Sequence, residues 1–308
     1  MSPMRSFFIA LSQNKPIRYF AEHSRFGRSI QSRFVAGTNI EEALHAAEVL
    51  NRLGILVTLN SLGERATQPD EARQAAEVYH QLLDRIAACG LKANVSIKLT
   101  QMGLGFDPAL AESITLSLVE HASAIGAFVR IDMEDSSLAQ STLNIVRQIH
   151  SMPGLAGSIG VVIQANLYRS LGDIEQLSDE QIDVRLCKGA YREPHSIAFP
   201  NKADVDSNFI RLSCVLLDSG AYHGIATHDK EMIQAVESYA AQQAIPPSHF
   251  EFQMFYGVRR DLQRRLVREG YNVRAYIPFG ADWYSFFMRR LAEHPDNVLY
   301  FVKNFFRW

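Results

Sequence analysis

Lys98, Asp132, Gln164, Arg185, Lys188, Thr227, His228, Glu251, Gln253 and Tyr276 share a position: each lies in or just after a short apolar run. The runs read SIKL, VRIDME, VVIQAN, DVRLCKGAY, IATHD, FEFQMF and RAYIPFG, and Glu64 follows another. Singly, each residue has an ordinary role. Asp132 can pair with Arg130 or cap a helix, Lys98 and Arg185 can snorkel, Gln164 and Gln253 can be satisfied core amides, and His228, Tyr191 and Tyr276 can simply pack. Together they are expensive to bury unless they meet a ligand. The set is rich in cations and amides. Lys188-Gly189-Ala190 joins a charge to an unobstructed backbone, which suits a phosphate. Near the C-terminus, Arg289 and Arg290 offer planar donors to one carboxylate, or else form a solvated pair with Arg289 bonded to Glu293. No two histidines stand at i and i+4, and no Ser or Cys has the setting of a nucleophile elbow. These residues suit a phosphate-bearing cofactor beside a small carboxylate, with the redox chemistry supplied by the cofactor.

Such residues can meet only on a scaffold that brings many strand ends together. Eight short apolar runs supply it, at 56–60, 94–99, 128–132, 161–164, 184–187, 224–227, 250–253 and 273–277. Helix-period stretches alternate with them, among them 40–53, 69–89, 108–123, 136–152, 206–219, 230–243 and 256–269. Alternation predicts a parallel sheet, and eight units predict a (β/α)8 barrel of the TIM type, whose sites form at the carboxyl ends of its strands. An open doubly wound sheet would carry a glycine-rich turn after its first strand; Ser61-Leu62-Gly63-Glu64 is no such turn. The last strand ends at Pro278 and Gly280. Asp282 then reads as an N-cap, and 283–293 as a helix with Trp283, Phe287 and Leu291 in its buried stripe.

The length of 308 residues fits one such barrel, and 47% apolar with 21% charged residues fits a soluble globular chain. A net charge of −2 gives no reason to expect nucleic acid as a partner. Cys89, Cys187 and Cys214 are far apart and odd in number, which points to a reducing compartment. No apolar run is long enough to span a membrane. Residues 1–34 are basic and carry Phe7, Ile9, Leu11, Ile17, Phe20 and Phe26. They read as amphipathic helices packed on the body, a reading preferred to a transit peptide. The expected domains are a helical extension over 1–34 and the barrel over 35–308.

Seven motifs in this order, SIKLTQMG, FVRIDMED, VVIQANL, VRLCKGAY, ATHD, FEFQMFYG and YIPFGADWYSFFMRRLAE, resemble the proline dehydrogenase family. The likeness runs from about Phe34 to the C-terminus and is to the monofunctional bacterial members. It implies an FAD-dependent barrel that oxidises L-proline to Δ1-pyrroline-5-carboxylate. On that likeness hydride would pass to flavin N5 and electrons to a membrane quinone, the first step of proline catabolism. It implies Lys98, Asp132 and Arg185 as the catalytic set. Arg289 and Arg290 would clamp the substrate carboxylate with Lys98, while Tyr276 and Tyr191 pack on the ring. Arg185, Gln164 and Met133 would meet the flavin, and Lys188, Gly189, Ala190, Thr227 and His228 the rest of FAD. Glu64 would pair with Arg289 as a gate when substrate is absent. The expected location is cytoplasmic, peripheral on the inner face of the membrane, and the basic, aromatic N-terminal helices are a candidate for the membrane-facing surface. Whether it works alone or as a homo-oligomer stays open.

Two positions depart from the family pattern. Phe286 stands where a tyrosine is usual, which bears on how strictly ring-hydroxylated substrates are excluded. Phe255 stands where leucine is usual, which narrows the pocket. Two other readings therefore stand beside the first: a flavin barrel acting on hydroxyproline or another cyclic imino acid, and a non-catalytic barrel that binds without turnover.

Overall fold

The computed structural model describes residues 31–191 and 193–285, together with Asn14, Pro16, Arg18, Tyr19, Ser24 and Met288. Eight parallel strands close into a barrel in chain order. They are β1 Leu56–Ser61, β2 Ala93–Lys98, β3 Val129–Asp132, β4 Ile159–Gln164, β5 Asp183–Cys187, β6 His223–Ala226, β7 Phe250–Phe255 and β8 Asn272–Phe279. The helices are α1 Ile40–Arg52, α2 Pro69–Ala88, α3 Pro108–Ala124, α4 Ala139–His150, α5 Ser170–Asp179, α6 Lys202–Asp218, α7 Lys230–Gln242 and α8 Arg260–Arg268.

Local chemistry explains the boundaries. Asn39 and Asp107 cap α1 and α3 by accepting from Glu42 N–H and Leu110 N–H. Proline fills the first position of α2 and α3, where its missing N–H costs nothing. Along the strands, fully buried aliphatics such as Val57, Leu59, Val95, Ile97, Val129, Ile131, Val184 and Leu186 alternate with polar residues. The polar members face the lumen, because Ser96 on β2 meets Arg185 on β5, and Asp132 on β3 meets Tyr276 on β8. Strands that are not neighbours can touch only across the interior.

The expected elements are present, with adjustments. The single helix expected over 136–152 opens with a 3-10 turn, Ser136–Leu138, because Asp135 accepts from Ser137 N–H and starts the chain tightly. The stretch 256–269 becomes helical only at Arg260, after Arg259 adopts left-handed φ +50°. α6 begins four residues earlier than expected, at Lys202 rather than 206. α1 packs on β1 and β8 and covers the seam of the barrel. Of the expected extension over 1–34, residues 31–34 and five earlier positions are described; one of these, Arg18, pairs with Asp282 at 2.9 Å. Trp283–Ser285 and Met288 are helical, as expected. Among the described residues no helix is long and apolar enough to cross a membrane.

Candidate active site

Asp132 is the hub of the site. It ends β3 directly opposite Lys98, which ends β2. Its Oδ2 accepts from Lys98 Nζ at 3.1 Å and from the Tyr276 hydroxyl at 2.8 Å. Its Oδ1 accepts from Ser96 Oγ at 2.6 Å and Arg185 Nη1 at 2.9 Å. Burial alone would raise the proton affinity of this carboxyl. Lys98 and Arg185 outweigh it and hold the group well below the usual carboxylate range. A carboxylate with four donors and two cations stays ionised and takes no proton. It is an anchor, and Arg130, the alternative partner considered from the sequence, pairs instead with Asp183 at 2.9 Å.

Arg185 reaches this end of the barrel from mid-strand. It is 5% exposed, and its guanidinium lies 5.2 Å from the Tyr276 ring centroid. Nη1 is bonded, whereas Nε and Nη2 are buried with no partner. Buried guanidinium donors left open are costly, so they point to a ligand acceptor. Tyr276 is held as a neutral phenol, its proton affinity raised by burial and by Asp132. Phe255, registered beside it, meets its ring edge-on at 5.3 Å. His228 stacks on Phe255 at 5.7 Å and accepts the Phe255 N–H at 2.8 Å. Burial, with Arg259 nearby, lowers His228 to about 4, so it is a neutral acceptor at pH 7.

A second cluster lies over the ends of β4 to β6. Gln164 donates to Glu134 O at 2.8 Å and accepts Ala190 N–H at 3.4 Å. Gly189 has φ +105°, and a Cβ there would meet Asn166 Oδ1, itself buried without a partner. The glycine is thus required by both conformation and space. Lys188 is held by Asp206 at 2.6 Å and Asp229 at 3.3 Å. Thr227 Oγ1 accepts Asp229 N–H at 3.1 Å, and Met133 is buried beside Asp132. Tyr191 is 36% exposed in the loop after β5.

Glu251 and Gln253 do not belong to the site. β7 runs on to Phe255, so Glu251 lies near its start, where it pairs with Arg274 at 2.6 Å and accepts from Gln253. Ser96, Asn166 and Asp206 were missed. Ser96 had one usable signal: it stands two residues before Lys98 and therefore on the same strand face. Glu64 lies in the loop after β1. Its expected partner Arg289, with Arg290 and Phe286, lies outside the described residues.

A family profile described as proline dehydrogenase matches residues 43–301. Proline dehydrogenase 1 of Bacillus subtilis subsp. natto is 41% identical over 301 residues, covering 97% of this chain and 98% of its own. Proline dehydrogenase of Deinococcus radiodurans is 42% identical over 279 residues, covering 89% of each chain. Among solved structures, proline utilization A from Bdellovibrio bacteriovorus, inactivated by N-propargylglycine, superposes with a TM-score of 0.83 at 23% identity. That likeness covers 94% of this chain and 36% of the other, and it speaks for the barrel alone. The first two relatives are matched along nearly all their length, as a monofunctional protein should be. The chain belongs to the proline dehydrogenase family.

Proposed function

We infer that this chain oxidises L-proline to Δ1-pyrroline-5-carboxylate in proline catabolism, with FAD as resident cofactor and a membrane quinone as final acceptor. The observation that carries this reading is the buried Lys98–Asp132–Arg185–Tyr276 cluster, in which Arg185 keeps two donors open. Two cations against one carboxylate leave the cluster positive, the sign that receives an anionic substrate and favours an electron-rich cofactor. The residues fit a flavin dinucleotide: Arg185 Nε and Nη2 supply donors, and Gly189 leaves a cradle that any side chain would fill. When bound, the flavin supplies a two-electron oxidant that takes hydride at N5.

The protein's own part is placement. Lys98 donates to the substrate carboxylate, with Arg289 and Arg290 as the clamp. Tyr276 has its hydroxyl committed to Asp132, so its ring face is what the substrate ring meets. Tyr191 and Phe255 close the pocket, and His228 steadies the Phe255 wall. Fixing the carboxylate end orients the opposite ring carbon next to nitrogen, where the C=N bond forms. Met133 and Gln164 line the flavin, and Ala190, Thr227 and His228 border the rest of FAD. Lys188, already between two carboxylates, acts by holding that loop as much as by its charge. Glu64 gates the pocket through Arg289. The barrel is cytoplasmic and peripheral on the inner membrane face, where quinone is reached; the expected extension over 1–34 lies mostly outside the described residues.

The test is the visible spectrum of the purified protein before and after anaerobic L-proline. A yellow protein that bleaches supports the reading. A yellow protein that does not bleach removes proline as substrate, and a colourless one that stays so with added FAD favours the non-catalytic barrel. Phe286 motivates the second reading, hydroxyproline. A clear kcat/KM preference for trans-4-hydroxy-L-proline over L-proline would replace the first with it.

A further inference from the structure

Ser96 is fully buried on β2, two residues before Lys98, and no role follows for it from the reaction itself. Its Oγ lies 2.6 Å from Asp132 Oδ1, 3.3 Å from Arg185 Nη1 and 3.4 Å from Arg130 O. A hydroxyl has one proton and two lone pairs. Arg185 can only donate, so Ser96 accepts from it. The Ser96 proton then goes to the carboxylate, which is both nearer and charged, and not to the Arg130 carbonyl. The direction of both bonds is therefore fixed without reference to any ligand.

This oxygen sits as a wedge between the Arg185 guanidinium and the near oxygen of Asp132. An arginine and a carboxylate at this distance prefer two parallel N–H···O bonds. Here Arg185 Nη1 is shared between Ser96 Oγ and Asp132 Oδ1, and the second carboxylate oxygen is taken by Lys98 and Tyr276. Arg185 consequently engages Asp132 at a single point and keeps Nε and Nη2 open. We propose that Ser96 is a positioning residue of the active site: its hydroxyl holds Asp132 and Arg185 in a one-point contact and so keeps the open edge of Arg185 turned toward the bound flavin. This rests on the reading that Arg185 meets the flavin. Without the hydroxyl, Asp132 Oδ1 is the one acceptor left to Arg185 Nη1, the guanidinium can turn about that single bond, and its open edge is no longer held toward the flavin.

The test compares the wild type with Ser96→Ala, Ser96→Thr and Ser96→Cys as purified holoproteins. Flavin content, the midpoint potential of the bound flavin, and kcat and KM for L-proline are read for each. The expected result is a flavin-loaded Ser96→Ala protein with a more negative midpoint potential and kcat about tenfold lower, with KM changed less than kcat. Ser96→Thr keeps the hydroxyl and recovers most of both losses; Ser96→Cys, a weak donor, falls between. Potential and kcat in Ser96→Ala unchanged within twofold overturn the proposal while leaving the flavin reading intact. A wild type without flavin overturns both. If Ser96→Ala does not fold, Ser96→Cys decides: a shift in the same direction supports the proposal and no shift overturns it.

Discussion

The barrel lumen holds two buried charge clusters, and they are built on opposite terms. The lower one joins Arg130 to Asp183 and Arg274 to Glu251, at 2.9 and 2.6 Å, so two cations meet two carboxylates. Arg130 also donates to Val161 O and Asp183 O, and Arg274 to Val57 O. The upper one sets Lys98 and Arg185 against Asp132 alone, and Arg185 bonds through one nitrogen of three. The lower cluster balances its own charge, although Arg130 Nε too is buried without a hydrogen-bond partner. The upper cluster sets two cations on one carboxylate, and it is that unbalanced charge that calls for an anionic ligand. Burial and charge alone do not mark a site; the mismatch between a cluster and its own partners does.

The difference can be broken from either side. Glu251→Gln leaves Arg274 buried without a counter-charge and should cost about 3–5 kcal/mol of stability. The thermal midpoint should fall sharply while kcat of the folded fraction changes little; a large kcat loss at unchanged stability would make the lower cluster catalytic. Asp132→Asn should do the reverse, because this end opens to solvent and ligand. It should lower kcat/KM about 100-fold, or about 2.7 kcal/mol, with a smaller shift in thermal midpoint.

Acid sharpens the comparison. Burial lowers both His223, below the lumen, and His228, at the site, to about 4. An unfolded histidine titrates near 6.5, so as pH falls the unfolded chain takes protons first. The stability these neutral imidazoles preserve is intact above about pH 6.5 and drains away toward pH 4. Between pH 7 and 5 each contributes a loss of roughly 2 kcal/mol. Asp132, depressed and not raised, loses nothing in that window. His228→Gln should flatten the pH dependence of the thermal midpoint; a slope unchanged from wild type would mean that His228 binds its proton as readily in the folded protein as in the unfolded chain. The smallest effect belongs to Arg65→Ala. It removes an exposed pair with Asp135 across two loops above the site and should change stability by less than about 1 kcal/mol.

The eight strands were legible because alternation and length leave little freedom once helices separate them. Lys98, Asp132, Arg185 and Tyr276 were legible because a charge or phenol in an apolar run stands out. Glu251 and Gln253 looked the same but belong lower, since the height of a residue depends on where its strand stops. β7 continues through Met254 to Phe255, and that apolar continuation hid the true end of the strand. Ser96 was hidden for another reason: a small hydroxyl is ordinary in a strand, and only its neighbours across the lumen reveal its use. Asp206 sits on α6, a helix and not a strand end, so nothing in the pattern of apolar runs drew it to Lys188. The arginine pair at 289–290, which gained weight only from its place after the last strand, lies outside the described residues.

The seam between β1 and β8 has a consequence for how the chain is made. Ring closure pairs Leu56 through Ser61 with Arg274 through Phe279, and Arg274 reaches Val57 O across 217 positions. At ribosomal rates that interval takes roughly ten to forty seconds. Throughout it α1 can shield one face of β1, but the hydrogen-bonding edge of the strand has no mate. An unmated edge is a template for pairing with other chains. The nascent protein is thus most exposed to aggregation in the stretch of synthesis before its last strand arrives.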